Sequence, residues 1–484
     1  MAMQRREFLA YSAAAGGLAL STSRARAQQA RDFRVAVVGV NGRGWSHMQA
    51  LADNVVAICD VDSRVAASQA ARFKKHHNRD LELIGDYREL MDRDDIQGIT
   101  VATPNHTHSL IGIAAIEAGK HLYVEKPVSH NVWEGRQLAA MAEKSGLVAQ
   151  CGTQSRSSRA LQQAVAFVQA GELGKIRYAL GTCYKPRPSI GKLDQPLEIP
   201  KSVNYDLWCG PAEKVDLYRQ HLHYDWHWDF NTGSGDTGNQ GIHQMDIARW
   251  FLGEDNLAPR TISFGGRLGY DDAGNTPNSQ VVFHDYANAP LIFETRGLPR
   301  SKEAQQNWGR SMDRYRGSQI GVIVQCEGGH VLADSSYSRV AAYDRDGAKV
   351  KEWSGGGDHF RNWRDAAVAG DPSRLNAPVR EGHVSSALCH VGNVSHRVGQ
   401  PATAGDISNS IAGNELLSQS FDRLSTHLRA NDVDVDSGPG TLTAGPWVSV
   451  DPASEQFVDN PAAAALWKRA GRDEFRVPEV LASV

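Results

Sequence analysis

RVAVVGVNGRG, residues 34–44, decides the fold of the N-terminal half. The β-branched run before Gly39 has the composition of a short strand buried on both faces of a parallel sheet. Gly39, Gly42 and Gly44 follow at G-x-x-G-x-G spacing, with Asn41 and Arg43 between them. Glycines so placed allow a tight turn and a close approach of the backbone to a pyrophosphate. The helix expected from about Trp45 to Asp53 offers free N–H groups and a positive dipole end to the same anion.

A second apolar strand, 55–59, ends at Asp60, 21 residues beyond Gly39. An acid at that distance accepts hydrogen bonds from the hydroxyls of an adenosine ribose. It also repels a 2′-phosphate, so NAD is the expected cofactor; Arg64 nearby leaves NADP possible. The alternation then continues. Strand 98–102 runs into Thr103, Pro104, Asn105 and His108; helix 109–118 ends at Gly119; strand 121–124 runs into Glu125 and Lys126; helix 133–145 and strand 147–151 lead to Gln154. Repeated strand–helix units make a doubly wound parallel α/β sheet over residues 32–155. Ligands sit beyond the carboxyl ends of such strands, so these seven residues are expected on the cofactor side of a cleft.

The full chain has 484 residues, 41% hydrophobic and 22% charged, with a formal net charge of −3. Its length implies more than one domain. No concentrated basic patch points to nucleic acid. Residues 1–27 read as a twin-arginine signal peptide: Arg5-Arg6, a small-residue apolar stretch, then Ala25-Arg26-Ala27 as a cleavage site. The apolar stretch is too short for a stable membrane anchor. A periplasmic or secreted enzyme, exported already folded, is expected. The six cysteines show no C-x-x-C spacing and are expected as buried free thiols.

Residues 156–437 read as a second domain, with short strands recurring from 260 to 353 and a helix at 383–397 that packs back on the domain junction. Residues 438–484 read as a C-terminal tail with no evident role. A long connection, about 184–231, contains HLHYDWHWD at 221–229. Aromatic rings support the apolar faces of sugars while polar neighbours bond the hydroxyls, so Tyr224, Trp226, His227 and Trp228 are candidate substrate contacts. His221, His223 and His227 do not repeat at a metal-ligand spacing, and no metal is expected.

GVNGRG at 39–44, TPNHTH at 103–108, EAGKHLYVEKP at 117–127 and GNQGIHQMD at 238–246 together resemble the glucose–fructose oxidoreductase / inositol dehydrogenase (Gfo/Idh/MocA) family. RPSIGK at 187–192, VNYDLWCGPA at 203–212 and HYDWHWDF at 223–230 resemble an exported branch of it. The resemblance implies a Rossmann domain followed by an α+β domain whose open, largely antiparallel sheet carries the substrate pocket, with Lys126 beside the nicotinamide. One position departs. The family places an Asp four residues before its His, whereas this chain reads Asn239-Gln240-Gly241-Ile242-His243. An amide cannot take a proton. Asp246 matches a further family acid, and Asp236 is a candidate substitute for the missing one.

Oxidising a secondary alcohol needs a hydride acceptor and a base. His243 is the leading base; Lys126 orients the hydroxyl or serves as the base itself. Three functions follow. The first is an oxidoreductase acting on a sugar or polyol with a tightly bound NAD. The second is a glycoside hydrolase using transient oxidation at C3, with Asp225, Asp229 or a tyrosine as an extra base. The third is a non-catalytic cofactor- or sugar-binding protein. A homo-oligomer is expected from the antiparallel meander.

Overall fold

A computed structural model of the chain describes residues 28–30, 32–437 and 441–481. The expected signal peptide, residues 1–27, lies outside the described residues.

Six parallel strands form the N-terminal sheet, in the order Glu82–Ile84, Val55–Cys59, Val35–Val38, Gly98–Val101, His121–Val124, Ala149–Cys151. The first strand sits at the centre, paired Val35 to Val55 on one side and Val35 to Gly98 on the other. All four of its residues are buried, as its run of valines requires. The chain order reverses at this strand, which opens a crevice at the carboxyl ends. The helix after the glycine loop begins at Arg43, two residues earlier than expected, so Gly44 lies inside its first turn. The reason is steric: a Cβ on Gly44 would stand 1.9 Å from the Gly39 carbonyl oxygen, so only glycine lets the helix start so close to the strand.

The second domain is a twelve-stranded sheet. Its pairs are antiparallel except that Leu291–Arg296 runs parallel to Ile176–Tyr184. The helix Ile242–Leu252 lies across this sheet, and the helix Val379–Arg397, four residues longer at its start than expected, packs between it and the Rossmann helix Val132–Ser145. The helix Val379–Arg397 joins the domains mainly through buried packing, and His383 and His390 do not line the cleft cavity. His383 is hydrogen-bonded to Glu455 at 2.6 Å, and His390 to the Ser129 hydroxyl at 3.2 Å.

The C-terminal segment, expected as a tail without a role, is structural. Leu442–Ala444 and Val448–Val450 pair with the strand Arg260–Gly266. The chain then crosses to the Rossmann domain, where Arg469 bonds Glu134 at 2.7 Å and Phe475 enters the hydrophobic core. Its Gly/Ala/Pro-rich composition hid these contacts, because each strand is only three residues long. The six cysteines are free and buried.

Candidate active site

The crevice opens into a cavity of about 810 Å³ that both domains line. Gly39, Asn41, Gly42 and Arg43 form one end, with Asp60 beside them. Thr103, Pro104, Asn105 and His108 form a side wall; Glu125, Lys126 and Gln154 form the floor. Tyr224, Trp226, His227, Asn239 and His243 close it from the second domain.

Asp60 holds its position by accepting from the backbone N–H of Val40 at one oxygen and of Asp62 at the other, both at 3.0 Å. A carboxylate has about four acceptor sites, so lone pairs remain for two ribose hydroxyls. Burial raises its pKa, and the two N–H bonds oppose the rise. Above Gly42 the space is open: an added Cβ would meet nothing within 4 Å. Glycine loop, helix start, acid and open space fit a dinucleotide, with the pyrophosphate at Gly42–Gly44 and the adenosine ribose at Asp60.

Glu125 organises the floor. Its Oε1 accepts from Arg43 Nε at 2.8 Å and Gln154 Nε2 at 3.1 Å, and is hydrogen-bonded to His47 Nε2 at 3.1 Å. Burial alone would raise this carboxyl, but Arg43 and His47 outweigh it and hold its pKa well below the usual range. The buried carboxylate needs room. A Cβ on Gly152 would fall 2.7 Å from Glu125 Oε2, so the strand end that delivers Gln154 can pass Glu125 only as glycine.

Lys126 follows, and its Nζ donates to the main-chain carbonyl of Asn239 at 2.5 Å. That carbonyl belongs to a π-helical turn, Thr237–Gly241, whose wider hydrogen-bond spacing marks many functional sites. Burial lowers the Lys126 pKa, with Glu125 opposing and Arg43 assisting. His243, two residues past the π-turn, is pulled down to about 3, first by burial and then by the Lys126 charge. Its imidazole is therefore neutral near pH 7. Its Nδ1 is buried without a partner.

Four sequence-predicted site residues stand off the cavity wall. Gly44 serves the packing described above. Asp246 is buried in an ion pair with Arg156 at 2.9 Å and accepts from Ser385 Oγ at 2.7 Å. Asp236 binds the Arg187 guanidinium through two bonds, 2.7 and 2.5 Å, and that guanidinium covers the Trp228 ring at 4.7 Å. Asp236 and Arg187 thus brace Trp228 in the loop that carries Trp226 and His227, whose rings stack at 3.6 Å and do face the cavity. Periodicity gives no sign of which carboxylate in such a run has a buried arginine waiting for it.

The structure also adds residues that sequence reasoning passed over. Leu207, Trp208, His223 and Phe475 line the same cavity. The segment 203–223, which carries the first three, is fastened to the Rossmann domain, where His223 is hydrogen-bonded to Asp62 at 2.9 Å and Asn204 N donates to the Val61 carbonyl at 2.8 Å, and to the C-terminal segment, where Arg472 pairs with Asp206 at 2.6 Å. His106 Nε2 bonds the Trp208 carbonyl at 2.8 Å. The stretch 203–212 had carried a family resemblance but no site role; its tryptophan and flanking Asp and Asn were the available signal.

Residues 33–153 match the family model described as oxidoreductase family, NAD-binding Rossmann fold, and residues 182–298 match the C-terminal alpha/beta domain of the same family. The chain belongs to the Gfo/Idh/MocA oxidoreductase family, and its N-terminal domain is an NAD-binding Rossmann domain. Levoglucosan dehydrogenase of Pseudarthrobacter phenanthrenivorans is 26% identical over 264 residues, 52% of this chain and 58% of that protein. A glycosyl hydrolase family 109 protein of Shewanella sp. (strain W3-18-1) is 35% identical over 121 residues, 23% of this chain and 26% of that protein. The match thus spans less than two thirds of either relative. The WlbA dehydrogenase of Bordetella pertussis, solved with NADH and UDP-GlcNAcA, shares the fold at TM-score 0.55 and 17% identity, over 76% of this chain and 97% of that one.

Proposed function

We propose that this protein is an NAD-dependent dehydrogenase that transfers a hydride between a secondary hydroxyl of a sugar or polyol and a tightly held nicotinamide. The observation that carries the proposal is the convergence of Lys126 and His243 on one cavity with the glycine loop and Asp60. The similarity to levoglucosan dehydrogenase supports a carbohydrate substrate class.

NAD, when bound, supplies the hydride acceptor. The chain supplies the rest. Lys126 Nζ, fixed by the Asn239 carbonyl, stands where a substrate hydroxyl can replace or join that contact. A base must be unprotonated and able to keep the proton near neutral pH. Burial moves Lys126 down toward that range and moves His243 to about 3, away from it. Lys126 is therefore the better proton acceptor, and neutral His243 orients the hydroxyl by hydrogen bonding. Trp226 and His227 offer a stacked platform for the sugar's C–H face. The fastened segment 203–223 covers the adenosine end and favours a cofactor retained through turnover. Retention suits an enzyme exported in folded form through the expected twin-arginine leader, and it requires a second substrate to reset the cofactor.

One observation favours hydrolysis as a second reading, the 35% identity to a family 109 glycosyl hydrolase. That match is confined to 121 residues. The acids that would supply the extra base are engaged elsewhere: Asp225 accepts from His221 N at 3.2 Å, and Asp229 pairs with Arg219 at 3.0 Å. Of those candidates only tyrosines, Tyr87 and Tyr224, line the cavity. Incubating the purified protein with free sugars and aryl glycosides separates the readings. Net cofactor reduction by a free sugar supports the dehydrogenase; release of the aglycone without net reduction overturns it in favour of the hydrolase.

A further inference from the structure

A second cavity, about 420 Å³, lies where the Rossmann domain, the helix Val379–Arg397 and the C-terminal segment meet. It shares no lining residue with the first cavity. Its walls carry four cations, Arg397, Lys468, Arg469 and Arg472, against two carboxylates, Glu213 and Asp229. Asp229 is already committed to Arg219.

Three of the cations have partners. Arg469 binds Glu134, Arg472 binds Asp206, and Lys468 lies over the Trp133 ring at 3.8 Å with Glu479 at 3.9 Å. The described contacts of Arg397 are with the Phe230 ring, 5.1 Å below its guanidinium. Its side chain is exposed on the cavity wall, and no described ion pair engages it. Four buried polar atoms on the lining residues also lack a hydrogen-bond partner: His130 Nε2, Asn131 Nδ2, Asn393 Oδ1 and Arg469 Nη1. Buried polar groups are nearly always satisfied, so several unsatisfied ones around one cationic cavity indicate a polar guest.

We propose that this cavity binds a small oxyanion-bearing molecule, its phosphate or carboxylate held by Arg397 and Lys468 with Arg469 behind them. Guanidinium groups suit planar, bidentate recognition of such oxyanions, and the neighbouring amides and imidazoles can bond hydroxyls on the same molecule. The volume admits a molecule of monosaccharide size and excludes a dinucleotide. The wall is also close to the chemistry. Ser234 lines this cavity, its carbonyl accepts from Asn393, and its hydroxyl accepts from Asn105 of the first cavity at 3.4 Å.

The test uses the full mature protein saturated with NAD, so that the pyrophosphate site at the glycine loop is already filled. Inorganic phosphate and citrate are titrated separately by calorimetry, with sodium chloride at matched ionic strength as control. A saturable signal with either oxyanion, absent with chloride, is expected; the stronger of the two assigns phosphate or carboxylate. Arg397→Glu with Lys468→Glu should weaken that binding by at least about tenfold while NAD binding is unchanged. Arg397→Gln alone, which keeps much of the contact with Phe230, should weaken it in the same direction and guards against a folding defect. No saturable signal, or undiminished binding in these variants, overturns the proposal.

Discussion

Lys126 and residue 239 meet through the backbone: the ammonium nitrogen donates to the Asn239 carbonyl over 2.5 Å. The residue type that departs from the family pattern is therefore not what holds the lysine. Any side chain at 239 that preserves the π-helical turn preserves this contact.

The first prediction follows directly. Lys126→Ala should lower kcat by about a hundred- to ten-thousandfold, the usual worth of a positioned acid–base group, with NAD still bound. Asn239→Ala should cost less than about tenfold, because it leaves the carbonyl in place. Steady-state rates on both variants check this. Equal, severe losses would assign the side-chain amide a role of its own.

The pH profile separates the two candidate bases. A lysine must lose its proton before it can accept one, so kcat/KM should rise with pH. Burial lowers Lys126, so the midpoint should lie below the ordinary lysine value of about 10.4. A rise centred on the ordinary histidine value, about 6.5, would instead identify His243 and contradict the depressed value its burial imposes.

Cofactor choice and retention rest on separate contacts. Asp60→Ala should weaken NAD by roughly ten- to a hundredfold and NADP much less, since only NAD offers both ribose hydroxyls. His223→Ala combined with Arg472→Ala should leave that preference intact but speed NAD release by about tenfold, by unfastening the segment over the adenosine end. Stopped-flow displacement measures the second effect. An unchanged release rate would mean the segment does not gate the cofactor.

Asp246 belongs to stability. Removing it leaves the Arg156 guanidinium, itself buried, with only Glu381 at 3.0 Å. Asp246→Ala should cost about 3 kcal/mol in chemical denaturation, in the range for breaking a buried ion pair. A fully stable variant with a raised sugar KM would return Asp246 to the substrate site.

The N-terminal half was legible because its signals are local. Strand, glycine turn, helix and Asp60 fall within one short stretch, each constrained by backbone sterics that only certain residues satisfy. That Lys126 and His243 line one cavity was legible by resemblance. The roles of Asp236, Asp246 and Trp228 were not, because they depend on Arg187 and Arg156, partners far away in sequence that no spacing reveals. The C-terminal segment was missed for a related reason. Its strands are too short for a two-residue period to register, and Phe475 is buried in the core of the Rossmann domain. Trp208 looked like one more aromatic until the fold set it in the cavity wall beside His106.

The measurement that bears most directly on the central claim is a half-reaction. NAD-loaded wild-type protein and Lys126→Ala are mixed with a panel of free sugars, without added cofactor, and absorbance at about 340 nm is followed. The account predicts that at least one sugar produces a rise in the wild type, limited to the amount of bound nucleotide and stable until a carbonyl compound is added, and no rise in the variant. No reduction by any sugar or polyol, or an equal rise in the variant, would contradict it.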